Sequence, residues 1–181
     1  MLKRIMLLDG LLLVIVPGLV VASVVIGVIY PIGAGSAQAP FKLQQGPGYA
    51  TASALGFSNA AVDSNGNVAT GTTIYLNSTA HSYAVYLLNV LDIVNATVHP
   101  LPAGAVASLY INGSLPAGVS MYYSTSQSTF NGTVISGTLW TPGAQIMLPA
   151  PGNGHVEVYF SFVVMGGSSG GTGSLTFQYN L

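Results

Sequence analysis

Few residues in this sequence are of types that do chemistry, and their spacing does not gather them. There are three histidines, His81, His99 and His155, and no cysteine. The missing cysteines exclude thiolate catalysis, Cys-based zinc sites, blue-copper ligation and disulfides. His155 and Glu157 alternate onto one face of a strand, but a zinc or copper site needs at least one more ligand, which local spacing does not supply. Apart from Asp9, the carboxylates are Asp63, Asp92 and Glu157, none placed as a local acid–base pair. Asp63-Ser64-Asn65-Gly66-Asn67 echoes the start of a calcium loop. It lacks the glycine at loop position six and the glutamate at twelve, and reads better as a hairpin turn. Serine is plentiful without a G-x-S-x-G elbow, and no phosphate loop or dinucleotide fingerprint occurs. The sequence calls for no enzyme, no metal or other cofactor and no small-molecule substrate. Ten tyrosines, including Tyr110, Tyr122, Tyr123 and Tyr159, are of a type that lines sugar platforms. Tyrosine is equally a common strand former whose hydroxyl tolerates a half-wet face, and that reading is preferred.

The side chains with a defined chemical prospect are asparagines. Asn77, Asn95, Asn112 and Asn131 each open an Asn-X-Ser/Thr sequon, an acceptor for N-linked sugar if the chain is exported. A chain rich in Ser and Thr makes sequons by chance. Four of them in a charge-starved chain favour use of at least some. Only three Lys/Arg and four Asp/Glu are present, 4% of residues, against about 25% in ordinary domains. Lys3 and Arg4 stand at the start, leaving Lys42 as the sole later cation. Such a surface cannot follow a phosphate backbone, so nucleic acid is excluded as a partner. It also solubilises poorly, so that either sugars or packing against copies of itself must take over.

The elements that would position these residues begin with an apolar run. Residues 11–30 contain no charge. As a helix the run would be about 30 Å long, enough to cross a bilayer. Lys3 and Arg4 before it place the start in the cytoplasm and the bulk outside, giving an extracellular or cell-surface chain. Pro31 would end the helix. The small residues after it include Ala37-Gln38-Ala39 and Gly35-Ser36-Ala37, both cleavage-site patterns. Residues 1–39 therefore read as a hydrophobic leader with three uses: a cleaved signal, a membrane anchor through residues 11–30, or a pilin-type helix. Cleavage is slightly favoured. Residues 40–48 read as a linker or arm with Gly46-Pro47-Gly48 as a hinge, and 49–181 as one β-sandwich or jelly-roll domain. The expected fold class is thus mainly β behind one N-terminal hydrophobic helix. Period-2 patterning and turn residues predict strands over 49–57, 72–77, 82–88, 91–98, 106–112, 118–124, 129–140, 144–148, 155–164 and 174–181. Leu175, Phe177, Tyr179 and Leu181 alternate strictly with polar residues after a Gly/Ser/Thr-rich stretch at 166–173. This is expected to be a last strand hairpinned onto 155–164.

Together the leader, the arm, Tyr49-Ala50-Thr51-Ala52-Ser53-Ala54-Leu55-Gly56-Phe57, the segment 83–95 and the late His155-Val156-Glu157-Val158-Tyr159-Phe160-Ser161-Phe162 form a layout. It resembles extracellular filament subunits of the TasA/camelysin type, including archaeal bundling pili and threads. The resemblance implies a jelly-roll-like domain polymerised by donor-strand exchange in extracellular fibres and biofilm matrix, with further copies of the chain as partners. It favours the N-terminal arm, about 40–57, as the exchanged strand, while the Gly/Ser/Thr-rich stretch before Leu175–Leu181 argues for that C-terminal strand. The arm is the expected donor, with Phe41, Leu43, Leu55 and Phe57 as its buried side chains. The alternatives are a type IV pilin-like subunit, for which Asp9-Gly10 stands where a basic-Gly pair is expected, and a membrane-anchored adhesin or binding module.

Overall fold

The computed structural model describes residues 20–26, 30–31, 41–54, 73–78, 84–95, 104–149, 156–166 and 171–180. They form a mainly β structure of two sheets, as the patterning predicts. The strands are β1 Val20–Ile26, β2 Tyr30–Pro31, β3 Phe41–Gln45, β4 Thr73–Ser78, β5 Ala84–Asn95, β6 Val106–Ser114, β7 Val119–Ser124, β8 Thr138–Leu139, β9 Gln145–Pro149, β10 Val156–Met165 and β11 Gly171–Asn180. One sheet has the order β4-β1-β11-β6-β9, with β2 also on β11; the other is β3-β5-β10-β7-β8. Pairing is antiparallel except where β1 and β2 run parallel to β11.

Alternation builds the core. In β6, Ala107, Leu109 and Ile111 are buried; in β11, Leu175, Phe177 and Tyr179 are buried while Ser174 is exposed. The inward rows of the two sheets meet edge to face: Phe160 packs on Phe177 at 5.5 Å between ring centroids, and Phe41 on Tyr179 at 5.8 Å. Between them lies an apolar cluster drawn from both sheets. Two turns follow directly from local chemistry. Val119 donates its amide to Pro116 and Ala144 donates to Thr141, with Gly118 (φ 78°) and Gly143 (φ 82°) at the third turn position. Only glycine takes that conformation without strain.

The structure departs from the sequence expectations at five places. Residues 49–54 form a short helix, Tyr49–Ala54, rather than a strand; three alanines among its six residues carry high helix propensity. The stretch 40–48 contributes strand β3 to the second sheet. The segments 82–88 and 91–98 are one strand, β5, continued through a bulge at Asn89, which adopts φ 52°. Asparagine is one of the few residues that tolerates this left-handed conformation. Much of 129–140 is irregular, because Asn131-Gly132 makes a tight turn within it. Strand β11 joins β6 and β1 instead of β10, so the connector between β10 and β11 carries the chain from one sheet to the other.

The helix expected over residues 11–30 lies in part outside the described residues. Within 20–31 the described backbone runs as β1 and β2. Val20, Val21, Val24, Val25 and Ile26 are β-branched, which suits a strand. Among the described residues no helix is long and apolar enough to cross a membrane.

Candidate subunit-contact site

Two N-terminal segments attach to the domain, one to each sheet. Strand β1 lies between β11 and β4. It pairs parallel with β11 from Ala22 opposite Gly171 to Ile26 opposite Leu175. On its other side it pairs antiparallel with β4, from Val20 opposite Ser78 to Val25 opposite Thr73. Strand β2 continues along β11 at Gln178 and Tyr179. Among the described residues β4 has no other strand partner. Without β1, the edge of β11 would be open along fully buried Leu175, and β4 would lose its attachment to the sheet.

Strand β3 sits at the outer edge of the second sheet, antiparallel to β5, with Phe41 opposite Asn95 and Leu43 opposite Ile93. Phe41 and Leu43 are 2% and 6% exposed and belong to the chain's own core. Leu55 and Phe57 lie outside the described residues. The Gly46-Pro47-Gly48 segment, expected as a hinge, is a docked turn. The Gly46 amide donates to the Val90 carbonyl at 2.9 Å and the Gly48 amide to the Asn89 carbonyl at 3.0 Å. A Cβ on Gly46 would collide with the Asn89 carbonyl, and one on Gly48 with that of Leu88.

The bulge that receives this turn is itself braced. The Asn89 amide donates to Ser161 Oγ at 2.8 Å. Its side chain imitates a backbone pair with Ser128: Nδ2 donates to the Ser128 carbonyl at 2.9 Å and Oδ1 accepts from the Ser128 amide at 2.8 Å. Asn89, Ser128 and Ser161 are all buried. Nothing in the sequence marked them; Asn89-Val90 read as a break between two strands.

Next to the bulge, Asp92 is 3% exposed, with Gln44 of β3 opposite it. Its Oδ1 has no hydrogen-bond partner among the described residues. Burial raises its pKa from 3.8 to about 6, against the smaller lowering effect of a hydrogen bond from the Gln44 side chain. His81, His99, His155 and Asp63 lie outside the described residues, among which no three His, Cys, Asp or Glu side chains gather. A half-open apolar cavity of about 330 Å³ between the short helix and β5 is lined by Ala52, Val85, Tyr86 and Leu88, and among the described residues no charged group lines it.

The sequons differ in access. Asn95 is 0% exposed on β5; an attached sugar has no room there in the folded domain, so this acceptor is withdrawn. Asn112 is exposed on β6, and its Nδ2 donates to Gln178 Oε1 at 2.8 Å. Asn131 is exposed in the irregular 125–137 segment. Asn77 lies on β4, opposite Val21 of β1. Neither a protein-family model nor a curated protein matches this chain.

Proposed function

We propose that this chain is a structural subunit of an extracellular filament, joined to its neighbours by strand exchange. The observation that carries this reading is the origin of β1. The strand completing one sheet comes from the apolar run that the sequence marks as a leader. Cleavage after Ala37 or Ala39 would take β1 and β2 from the mature chain and leave a slot between β11 and β4. A strand in that slot bonds to neighbours on both sides, whereas a strand at the β3 position bonds on one. Each additional main-chain bond contributes roughly 0.5–1.5 kcal/mol. The arm of a neighbouring copy is the donor that fits: Phe41 and Leu43 alternate with polar residues, as a half-buried strand requires. Leu55 and Phe57 follow the Tyr49–Ala54 helix, so the strand contact would be carried by Phe41 and Leu43. The scarcity of charge agrees with a chain whose surface is largely given to packing and to sugars on Asn77, Asn112 and Asn131. No part of this reading requires a substrate, a cofactor or catalysis.

A second reading follows from the same strand. If residues 1–39 are retained, β1 completes its own domain and the chain is a self-sufficient, membrane-tethered adhesin or binding module. A type IV pilin-like subunit would instead commit residues 11–30 to a helix, and so would also vacate the slot.

The test is deletion of residues 40–48 with the leader kept, followed by electron microscopy of native surface material and mass spectrometry of the mature N-terminus. Loss of fibres with export and sheet content retained fits strand exchange through the arm. Normal fibres rule out the arm as donor. An intact Met1 and no fibres in the unaltered chain favour the tethered module.

A further inference from the structure

The 125–137 segment contains a hydrogen-bonded tip. Phe130 and Ile135 form an isolated antiparallel bridge. The Ser136 amide donates to the Thr129 carbonyl at 2.9 Å, and the Thr129 amide to Ser136 Oγ at 2.8 Å. At the apex, Asn131 Oδ1 accepts from the Thr133 amide at 3.0 Å and the Val134 amide at 2.9 Å. Gly132 takes φ 93° between them, with open space around it. This arrangement fixes the asparagine side chain through its oxygen and leaves Nδ2 without a hydrogen-bond partner among the described residues. Residues 131–134 are all exposed. Asn95 and Asn112 do not combine these features: Asn95 is buried, and Asn112 has its Nδ2 engaged by Gln178.

The same tip is unusually apolar for a solvent-facing turn. Phe130 stacks on Tyr86 at 4.1 Å between centroids and 25° between planes, and both rings are 36% exposed. Val134, across the turn from Asn131, is 57% exposed. In a chain with almost no surface charge, such a patch invites non-specific association. The C–H face of a pyranose packs well on apolar and aromatic side chains, and its hydroxyls face water.

We propose that Asn131 is the most readily glycosylated of the sequons of this chain, and that its first sugar covers the Phe130–Val134 patch. Asn131 Nδ2 attacks the anomeric carbon of a lipid-phosphate-linked or lipid-diphosphate-linked oligosaccharide. Nδ2 gives up one proton, the new bond is N–C, and the lipid phosphate leaves with the electron pair of the broken C–O bond. The assignment rests on the export proposed above, because such donors are used on exported chains.

The experiment is peptide mapping of protein from its native host, cut with chymotrypsin because Lys and Arg total only three. A sugar mass on the Asn131 peptide, with the Asn95 peptide bare, is the expected result. Sugar on Asn77 or Asn112 with Asn131 bare overturns the assignment and leaves export standing. All four bare on a chain whose N-terminus lies near residue 38 overturns the assignment alone. All four bare on a cytosolic chain with intact Met1 overturns export and the assignment together. For the covering role, Thr133→Ala removes the sequon hydroxyl and keeps the Asn131 turn. It should lose one glycan mass and bind a hydrophobic dye several-fold more, and adding Phe130→Ser should reverse the increase. Dye binding unchanged by Thr133→Ala overturns the covering role.

Discussion

Strands β1 and β3 both bring N-terminal residues to the two sheets, and they are held in opposite ways. Strand β1 is bonded on both sides, parallel to β11 and antiparallel to β4, but it is drawn from the apolar run before residue 40. Strand β3 is bonded on one side only among the described residues, yet it is fastened at its end by two glycine amides and a turn that admits no Cβ. The domain therefore needs a strand in the β1 position and has a secured, weaker site for the arm. This difference sharpens the idea of an exchanged arm. The arm does not swing on a loose hinge; it has a home from which it must be displaced. Its gain on exchange is the second row of bonds in the slot.

The largest effect should come from emptying the slot. A chain beginning at Pro40 lacks β1 and β2, which costs main-chain bonds on both sides of a seven-residue strand. At roughly 0.5–1.5 kcal/mol per bond, the loss is comparable to the whole stability of a small domain, about 5–15 kcal/mol. The expected outcome is polymers or an unstable monomer with rapid amide exchange along β11. A synthetic peptide of residues 18–28 supplied in trans should slow that exchange. A stable monomer with β11 protected would show that the slot needs no filling.

Next in size is the apolar anchor of the edge strand. Leu43→Ala should destabilise the domain by about 2–4 kcal/mol, as for other buried leucines, read as a fall in urea midpoint. Lys42→Ser, one residue away and half-buried, should change stability by less than about 0.5 kcal/mol. Exchange should accelerate at 41–45 in the Leu43 variant and stay unchanged at 174–179. Equal acceleration in both strands would mean that the two attachments melt together and the contrast drawn above is false.

Strand β3 should also respond to pH, and the sign follows from Asp92. Its pKa is raised to about 6 in the folded chain from 3.8, so the fold prefers the protonated acid. That preference is fully satisfied below about pH 3.8, and the stability is lost as pH rises through about 6. A shift of this size corresponds to about 2–3 kcal/mol, using 1.36 kcal/mol per unit. Asp92→Asn should flatten the dependence between pH 4 and 7 and protect 41–45 at neutral pH. A pH profile that persists in Asp92→Asn would assign the titration elsewhere.

What the sequence revealed of these two attachments was uneven, for physical reasons. Alternation in β6 and β11 was legible because each has one face in the core and one towards water. The β1 segment was not: a run of Val and Ile is apolar as a helix or as a strand, and hydropathy cannot separate them. The arm's Phe41 and Leu43 were legible as buried side chains, but not the edge they bury against. The glycines at 46 and 48 looked like freedom when they are close approach, a distinction set by Asn89 and Leu88 forty residues away. The Asn89–Ser128 pair was invisible for the same reason, since no local pattern announces a side chain that replaces a missing strand bond. Three Asn-X-Ser/Thr sites of equal sequence merit came apart only through burial and the hydrogen bonds of their amides.

The smallest effect, and the most local, should come from the bulge on which the β3 turn rests. Asn89→Gly keeps the left-handed backbone at φ 52° without strain. It also keeps the carbonyl that accepts from Gly48 and the amide that donates to Ser161. What it removes is the pair of side-chain bonds to Ser128, leaving a buried amide and carbonyl without partners. The cost should be about 1–2 kcal/mol. It should appear as faster exchange of the Ser128 amide and as earlier proteolysis within 125–137, with exchange in β11 unchanged. Asn89→Ala should cost about 1–2 kcal/mol more than Asn89→Gly, because alanine must also bear the left-handed conformation. If the two variants are equally stable, the bulge relaxes when its side chain is cut. The turn at 46–48 then loses its fixed carbonyl, and β3 should detach in both variants alike.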